Sequence, residues 1–342
     1  CKPEDREKLV ELMEGVEDIP GPVLHEGLNW QWESFAEYLD VLETLPRDMD
    51  LGVLLPHAAV RVYVMGERAI QLEHATPEDI ARMREISADA VRAGAFGFST
   101  SRTISHKSLA GDYTPTLRAQ EEELTGIARG MADAGAGFLE PDPETEFAML
   151  RRIVENSGRT AVFTLNQRHN RPDFWRDLLR LAGEAASDGL SIRPVVAPRP
   201  IGILLGLEGS QNPFSGTATY RSISDLPLDQ RVAAMRDPEV RRKILSEDPV
   251  KDSTFPLIHR ISFSKMFRLG SPANYEPAKS DSIEAIAERE GRTAPEVAYD
   301  ILLEREGRGF IYTPLVNYAN YDMSAPEAML ADKNAIMGLG DG

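Results

Sequence analysis

The sequence contains a single cysteine, Cys1. An internal disulfide framework is therefore excluded, and a lone terminal thiol is read as incidental rather than as a metal ligand. No apolar run approaches the roughly 18 residues of a transmembrane helix, and no signal segment is evident. Basic residues are in deficit, 38 against 55 acidic ones, for a formal net charge of −17. That balance argues against nucleic acid and anionic membranes as partners. No HxH, HExxH or paired-cysteine spacing occurs, so no complete metal site can be assembled from local motifs. GxGxxG and P-loop patterns are also missing, which removes nucleotide cofactors from the expectation. These absences leave a protein expected in the cytoplasm, acting on a small molecule, with its oligomeric state undetermined.

What is present is a regular alternation of short apolar strands and amphipathic helices. Strands are expected at 51–55, 95–100, 137–140, 160–165 and 190–196, and again at 335–340. Helices are expected at 4–14, 77–93, 120–133, 143–156 and 172–187. The second of these has Thr76 as cap, Pro77 in the first turn and Gly94 as stop. Asp142 reads as the cap of the fourth. Such alternation implies a parallel sheet, and a period of about 30–40 residues favours a (β/α)8 barrel over an open doubly wound sheet. The stretch 197–282 is rich in Pro, Gly and Ser, with one clear helix at 238–246. It reads as a long irregular excursion or lid. Two further helices follow, 282–290 and a helix capped by Thr293 with Glu296 that stops at Gly307. Trp30, Trp32, Phe35 and Tyr38 read as the packing of a small subdomain.

Polar residues cluster just after the apolar strands, where a barrel enzyme places its working groups. In chain order they are His57 and Arg61; Ser99, Arg102 and His106; Glu140; Gln167 and His169; Arg199; and Asp341. Each has a bland alternative. A lone histidine more often bonds loop backbone, and an Asp-Gly pair more often makes a turn. Arg61, Arg102 and Arg199 are the candidates for gripping a carboxylate, because a guanidinium pairs with it in bidentate fashion. The ending GLGDG and the start at Cys1 read as those of an internal piece of a longer polypeptide.

The blocks MEGVEDIP (13–20), EGLNWQWESFAEYLD (26–40), PHAAVRVYVMGERA (56–69), AGAFGFSTSRTISH (93–106) and IMGLGDG (336–342) carry a resemblance. Together they resemble the D-aminoacylase-like branch of the amidohydrolase superfamily, the N-acyl-D-amino-acid deacylases, along the whole chain. The resemblance implies a metal-dependent-hydrolase-like (β/α)8 TIM barrel, here incomplete at both ends. Residues 1–342 would be most of one barrel domain, with the insertion at about 197–282 and without the small β-sandwich and first barrel strands. It further implies hydrolysis of the amide of N-acyl-(D-)amino acids or related amides by a water activated on a divalent metal, typically zinc. Asp341 would be the base that relays the proton to the leaving amine. Arg61, Ser99, Arg102, Gln167, Arg199 and His57 would bind substrate. The main metal ligands would lie before Cys1, with Asp341 and Glu140 as further possibilities. The places where the family carries histidine ligands read GFLE (137–140) and FTLNQ (163–167). Two other readings stay open: another C–N hydrolase acting on a cyclic amide, and a non-catalytic homologue that binds a carboxylate. The 342-residue piece alone is expected to be inactive and poorly stable.

Overall fold

The computed structural model describes residues 2–17, 19–104, 106–108, 110–141, 146–209, 211–248 and 262–338. Its contacts divide the chain into two compact units.

The first unit comprises Cys1–Leu165, Arg176–Val196 and Asp332–Gly338. It holds a six-stranded, all-parallel sheet: β1 (Leu54–Pro56), β2 (Gly97–Thr100), β3 (Phe138–Pro141), β4 (Thr160–Thr164), β5 (Ile192–Val196) and β9 (Ile336–Met337). Spatial order equals chain order, apart from the strands of the second unit. A sheet that winds in one direction without reversing is of barrel type, whereas a doubly wound sheet reverses at a switch point. Among the described residues the barrel is not closed, and β1 and β9 are its edges.

The crossovers are helical, as parallel neighbours require. After three N-terminal helices, α1 (Arg6–Glu17), α2 (Gly21–Gly27) and α3 (Phe35–Thr44), come α4 (His57–Met65), α5 (Glu67–Ile70) and α6 (Pro77–Ala93), and then α7 (Glu121–Ala134), α8 (Phe147–Ser157) and α9 (Phe174–Ser187). The sequence explains α6 well: Thr76 and Asp79 form a reciprocal capping box, and Gly94 closes the helix at φ 124°. Helices α6 and α7 pack very closely. A Cβ on Gly126 would overlap the Ile80 side chain, and one on Gly130 would overlap the Arg84 carbonyl. Phe98, Leu139, Ala161, Ile192 and Val196 put the sheet's apolar side into the core. Trp30 stacks on Trp32, and Trp32 tilts against Tyr38, with ring centroids 5.9 and 5.2 Å apart.

The second unit comprises Asn166–Trp175 and Ala197–Ala331, with Leu339–Gly342 outside the described residues. An irregular excursion with one clear helix was the expectation for 197–282; among its irregular connections the described residues hold several regular elements. They are β6 (Ile201–Gly206), α10 (Ala218–Arg221), α11 (Leu228–Arg236), α12 (Pro238–Ser246) and β7 (Phe267–Arg268). These join α13 (Ile283–Glu290), α14 (Ala294–Gly307), β8 (Phe310–Val316) and α15 (Ser324–Leu330). An antiparallel sheet runs β6-β8-β7 over a core that includes Leu205, Phe214, Met235, Ile244, Tyr299, Leu302 and Ile311. Strand β8 carries Pro314 in its middle, a residue that argues against a central strand. Pro314 lies opposite Gly202, where the β6–β8 register shifts, and beyond the reach of β7's pairing, so the missing N–H breaks no regular ladder. No helix among the described residues is long and apolar enough to cross a membrane.

Candidate functional site

Two polar clusters stand out, one in each unit. The first is built where α4 leaves β1. His57 opens α4 directly after the strand, and Arg61 follows one turn later on the same face. Thr100 ends β2, and Glu123 sits in the first turn of α7. The four join in a sealed chain. Thr100 Oγ1 lies 2.7 Å from His57 Nδ1, and His57 Nε2 lies 2.8 Å from Glu123 Oε1. Arg61 Nη1 donates to Glu123 Oε2, and its Nη2 donates to the Glu73 carbonyl. The Phe98 ring meets the imidazole edge-on at 5.0 Å.

Burial pushes the His57 pKa down against the pull of Glu123, so the ring is neutral at pH 7. For Glu123, burial raises the pKa, but the His57 hydrogen bond and the Arg61 guanidinium outweigh it and hold the carboxyl below its usual range. A neutral ring whose Nε2–H donates to that carboxylate must accept the Thr100 hydroxyl proton at Nδ1. Arg61 is 0 % exposed, and two of its nitrogens are engaged. The geometry therefore makes it the counter-ion of Glu123, a brace between α4 and α7.

Nearby, Ser99 and Glu140 are register partners at the ends of β2 and β3, both half-buried. Burial raises the Glu140 pKa. Ser101 Oγ lies 2.8 Å from His106 Nδ1, and Arg102 Nη1 lies 3.2 Å from the Met149 sulfur.

In the second unit, three segments converge on Asn317, the first residue after β8. Its Oδ1 accepts the Gln167 N–H at 2.8 Å, and its own N–H donates to the Gln167 carbonyl at 2.8 Å. Its Nδ2 donates to the Arg199 carbonyl at 3.4 Å and to Asn166 Oδ1 at 3.5 Å. Gln167 Oε1 accepts the Ala319 N–H at 2.9 Å, while its buried Nε2 has no acceptor among the described residues. His169 Nε2 donates to the Pro314 carbonyl at 2.8 Å, and burial lowers the pKa of this ring. Lys265 Nζ donates to the carbonyls of Tyr318 and Ala319 at 3.1 and 2.8 Å and lies over the Tyr321 ring. Burial and the charge of Lys279 push the Lys265 pKa down to about 8.

The structure thus joins His57 to Arg61, Ser99 to Glu140, and Gln167 to the Arg199 backbone. Asp341, Cys1 and Asp142 lie outside the described residues. Glu123 escaped the sequence reading as one of three successive glutamates at a helix start. The available signal was its place on the apolar stripe with Leu124, Ile127 and Met131. Asn317 had no comparable signal. Among the described residues no three His, Cys, Asp or Glu side chains come together as a metal site.

A model of the amidohydrolase family matches residues 1–308. A D-aminoacylase from Alcaligenes xylosoxydans xylosoxydans is 32% identical over 116 residues, which is 34% of this chain and 22% of that protein. Two solved structures resemble the chain over 89% of its length and 51% of theirs. One is a D-aminoacylase D366A mutant in complex with 100 mM CuCl2, with 16% identity and a TM-score of 0.47. The other is a D-aminoacylase described as defining a novel subset of amidohydrolases, with 17% identity and a TM-score of 0.45. The chain therefore spans about half the length of these structures.

Proposed function

Because the chain belongs to the amidohydrolase family, we propose that the natural protein hydrolyses the amide bond of N-acyl-(D-)amino acids or related amides, in the cytoplasm. The observation that carries this reading is the family match across residues 1–308, on a parallel sheet whose strand ends bear polar side chains. An unactivated amide resists water because its carbonyl is a poor electrophile and its amine a poor leaving group. The protein must supply polarisation, a base and a proton donor. Members of this family typically use divalent metals. The described residues do not by themselves form such a centre, so the contribution proposed for this chain is made by its side chains. Asp341, in the GLGDG ending, is the proposed base: it takes a proton from the attacking water and returns it to the departing nitrogen. Ser99, Arg102, Gln167 and Arg199 are the proposed binding groups, a guanidinium being suited to a substrate carboxylate. Glu140, whose carboxyl pKa burial raises, is the proposed polar contact for a substrate oxygen. His57 and Arg61 hold Thr100 and Glu123 in place rather than meeting substrate.

The test uses the intact natural protein on a panel of N-acyl-D-amino acids and N-acyl-L-amino acids, with metal content by elemental analysis. The expected result is turnover of at least one class, reduced by about 10²–10⁴ in Asp341→Asn, the range for loss of a general base. A wild-type protein that binds but never hydrolyses these compounds would refute the reading.

A further inference from the structure

We propose that Asn317 is a positioning residue for substrate recognition. Its side chain locks the segments that carry Gln167 and Arg199 into one arrangement, and through Arg199 it sets the preference for a substrate carboxylate. The inference rests on the amide-hydrolase reading above and assigns a role to a residue that touches no substrate.

The observations are independent of one another. Asn317 is fully buried, yet both polar atoms of its side chain are engaged, in three hydrogen bonds with partners 118 to 151 residues away in sequence. Its backbone is left-handed, φ 63°, a conformation that asparagine tolerates better than most residues and that turns the chain sharply out of β8. Its hydrogen bonds go to backbone atoms of the segments that bear binding candidates: the Gln167 N–H and carbonyl, and the Arg199 carbonyl. β6 begins just after Arg199, and its Ile201 pairs with Val316, the residue before Asn317. Arg168 bridges to the same Val316. One amide therefore fixes three chain segments where they meet. The Gln167 side chain is held as well, because its Oε1 is engaged by the Ala319 N–H on the turn that Asn317 initiates. Its Nε2 has no partner among the described residues. Losing the side-chain ties of Asn317 loosens the Arg199 backbone relative to that of Gln167 while leaving both side chains present. A positioning residue differs from a binding one in this way.

Two variants separate the side chain from the turn. Asn317→Gly keeps the left-handed backbone and removes every side-chain tie. Asn317→Asp keeps the acceptor for the Gln167 N–H but sets an oxygen against the Arg199 carbonyl in place of a donor. Both are made in the intact natural protein and assayed on an N-acyl amino acid and on the same compound with its carboxylate capped as an amide. We expect the ratio of the two kcat/KM values to fall at least about tenfold in both variants, mainly through KM for the free acid, with the capped substrate changed less than about threefold. Equal losses on both substrates would mean a structural role only and would overturn the proposal, as would an unchanged ratio. If the wild type turns over neither compound, the hydrolase reading fails separately. Calorimetric binding of the same two compounds then decides: the variants must weaken the free acid at least about tenfold and leave the capped compound alone, and equal affinities overturn the proposal.

Discussion

Neutralising Glu123 should be among the most damaging conservative changes available in the first unit. Glu123→Gln preserves side-chain volume and removes one charge. It leaves Arg61, 0 % exposed, as a cation facing only neutral acceptors, the Glu73 carbonyl and the new amide oxygen. Among the described residues the Arg61 Nε has no partner and offers no reserve contact to share the load. Removing one partner of a buried ion pair costs about 3–5 kcal/mol, a large part of a total stability of about 5–15 kcal/mol. The His57 ring can adapt by switching tautomer, so the charge and not the hydrogen-bond count dominates the loss. With a urea m-value of about 3 kcal/mol/M, the unfolding midpoint should drop by roughly 1–1.7 M. Urea titration followed by far-ultraviolet circular dichroism measures it. Adding Arg61→Met to Glu123→Gln removes the stranded cation and should recover part of the loss, a coupling that a double-mutant cycle reads directly. A single-variant loss under about 1 kcal/mol, or a double variant weaker than the sum of the two singles, would show that the guanidinium is not held as a buried charge.

Four further outcomes are expected. The depressed pKa of His57 means that the unfolded chain binds its proton first as pH falls. This contribution to stability is therefore complete above the unfolded value of about 6.5 and is lost as pH drops towards the folded one, with a slope of at most about 1.4 kcal/mol per pH unit. His57→Asn should flatten that acid limb in stability measurements made from pH 7 downwards, and an unchanged slope would count against the assignment. Gly130→Val should separate α6 from α7 and cost at least about 2 kcal/mol, because the new side chain meets the Arg84 carbonyl rather than a flexible group; a melting temperature equal to wild type contradicts this. Lys265, with its pKa near 8, should be acylated at pH 8 ahead of exposed lysines of ordinary basicity once its two carbonyl contacts open, as peptide mapping by mass spectrometry can show. The 342-residue chain by itself should self-associate through the open edges of its parallel sheet, where Met337 on β9 is 71 % exposed. Met337→Lys should reduce light scattering, and a monodisperse wild-type chain would argue against sticky edges.

The strands of the barrel-type sheet were legible because each is a short apolar run between helices whose caps are local signals. Thr76, Gly94 and Thr293 mark their helix ends in the sequence and in the structure alike. Helix α4 was not legible, since β1 passes into it at Pro56–His57 without an intervening loop, and a proline followed by a histidine reads as a strand exit. Strand β8 was hidden by Pro314, whose placement at a register shift only the pairing reveals. The same limit governs the side-chain clusters. His57 was visible as a residue, but its partners Thr100 and Glu123 lie 43 and 66 positions away. Asn317 gathers contacts across about 150 positions, and no local pattern carries such information.

The pairing of β5 with β9 has a consequence for how this protein can be altered. The chain leaves the parallel sheet at Val196 and comes back into it at Ile336, directly beside its point of departure, with Val195 opposite Ile336 and the Gly338 N–H bonded to the Val196 carbonyl. Everything from Ala197 to Ala331 is thus an excursion between neighbouring strands. Changes in the length of such a segment need not alter the register of the strands that flank it. The parallel sense of the two strands sets a floor on that freedom. The chain must travel back along the length of β5 before β9 can start, so any shortened replacement needs about a dozen residues or more, and a tight turn cannot serve.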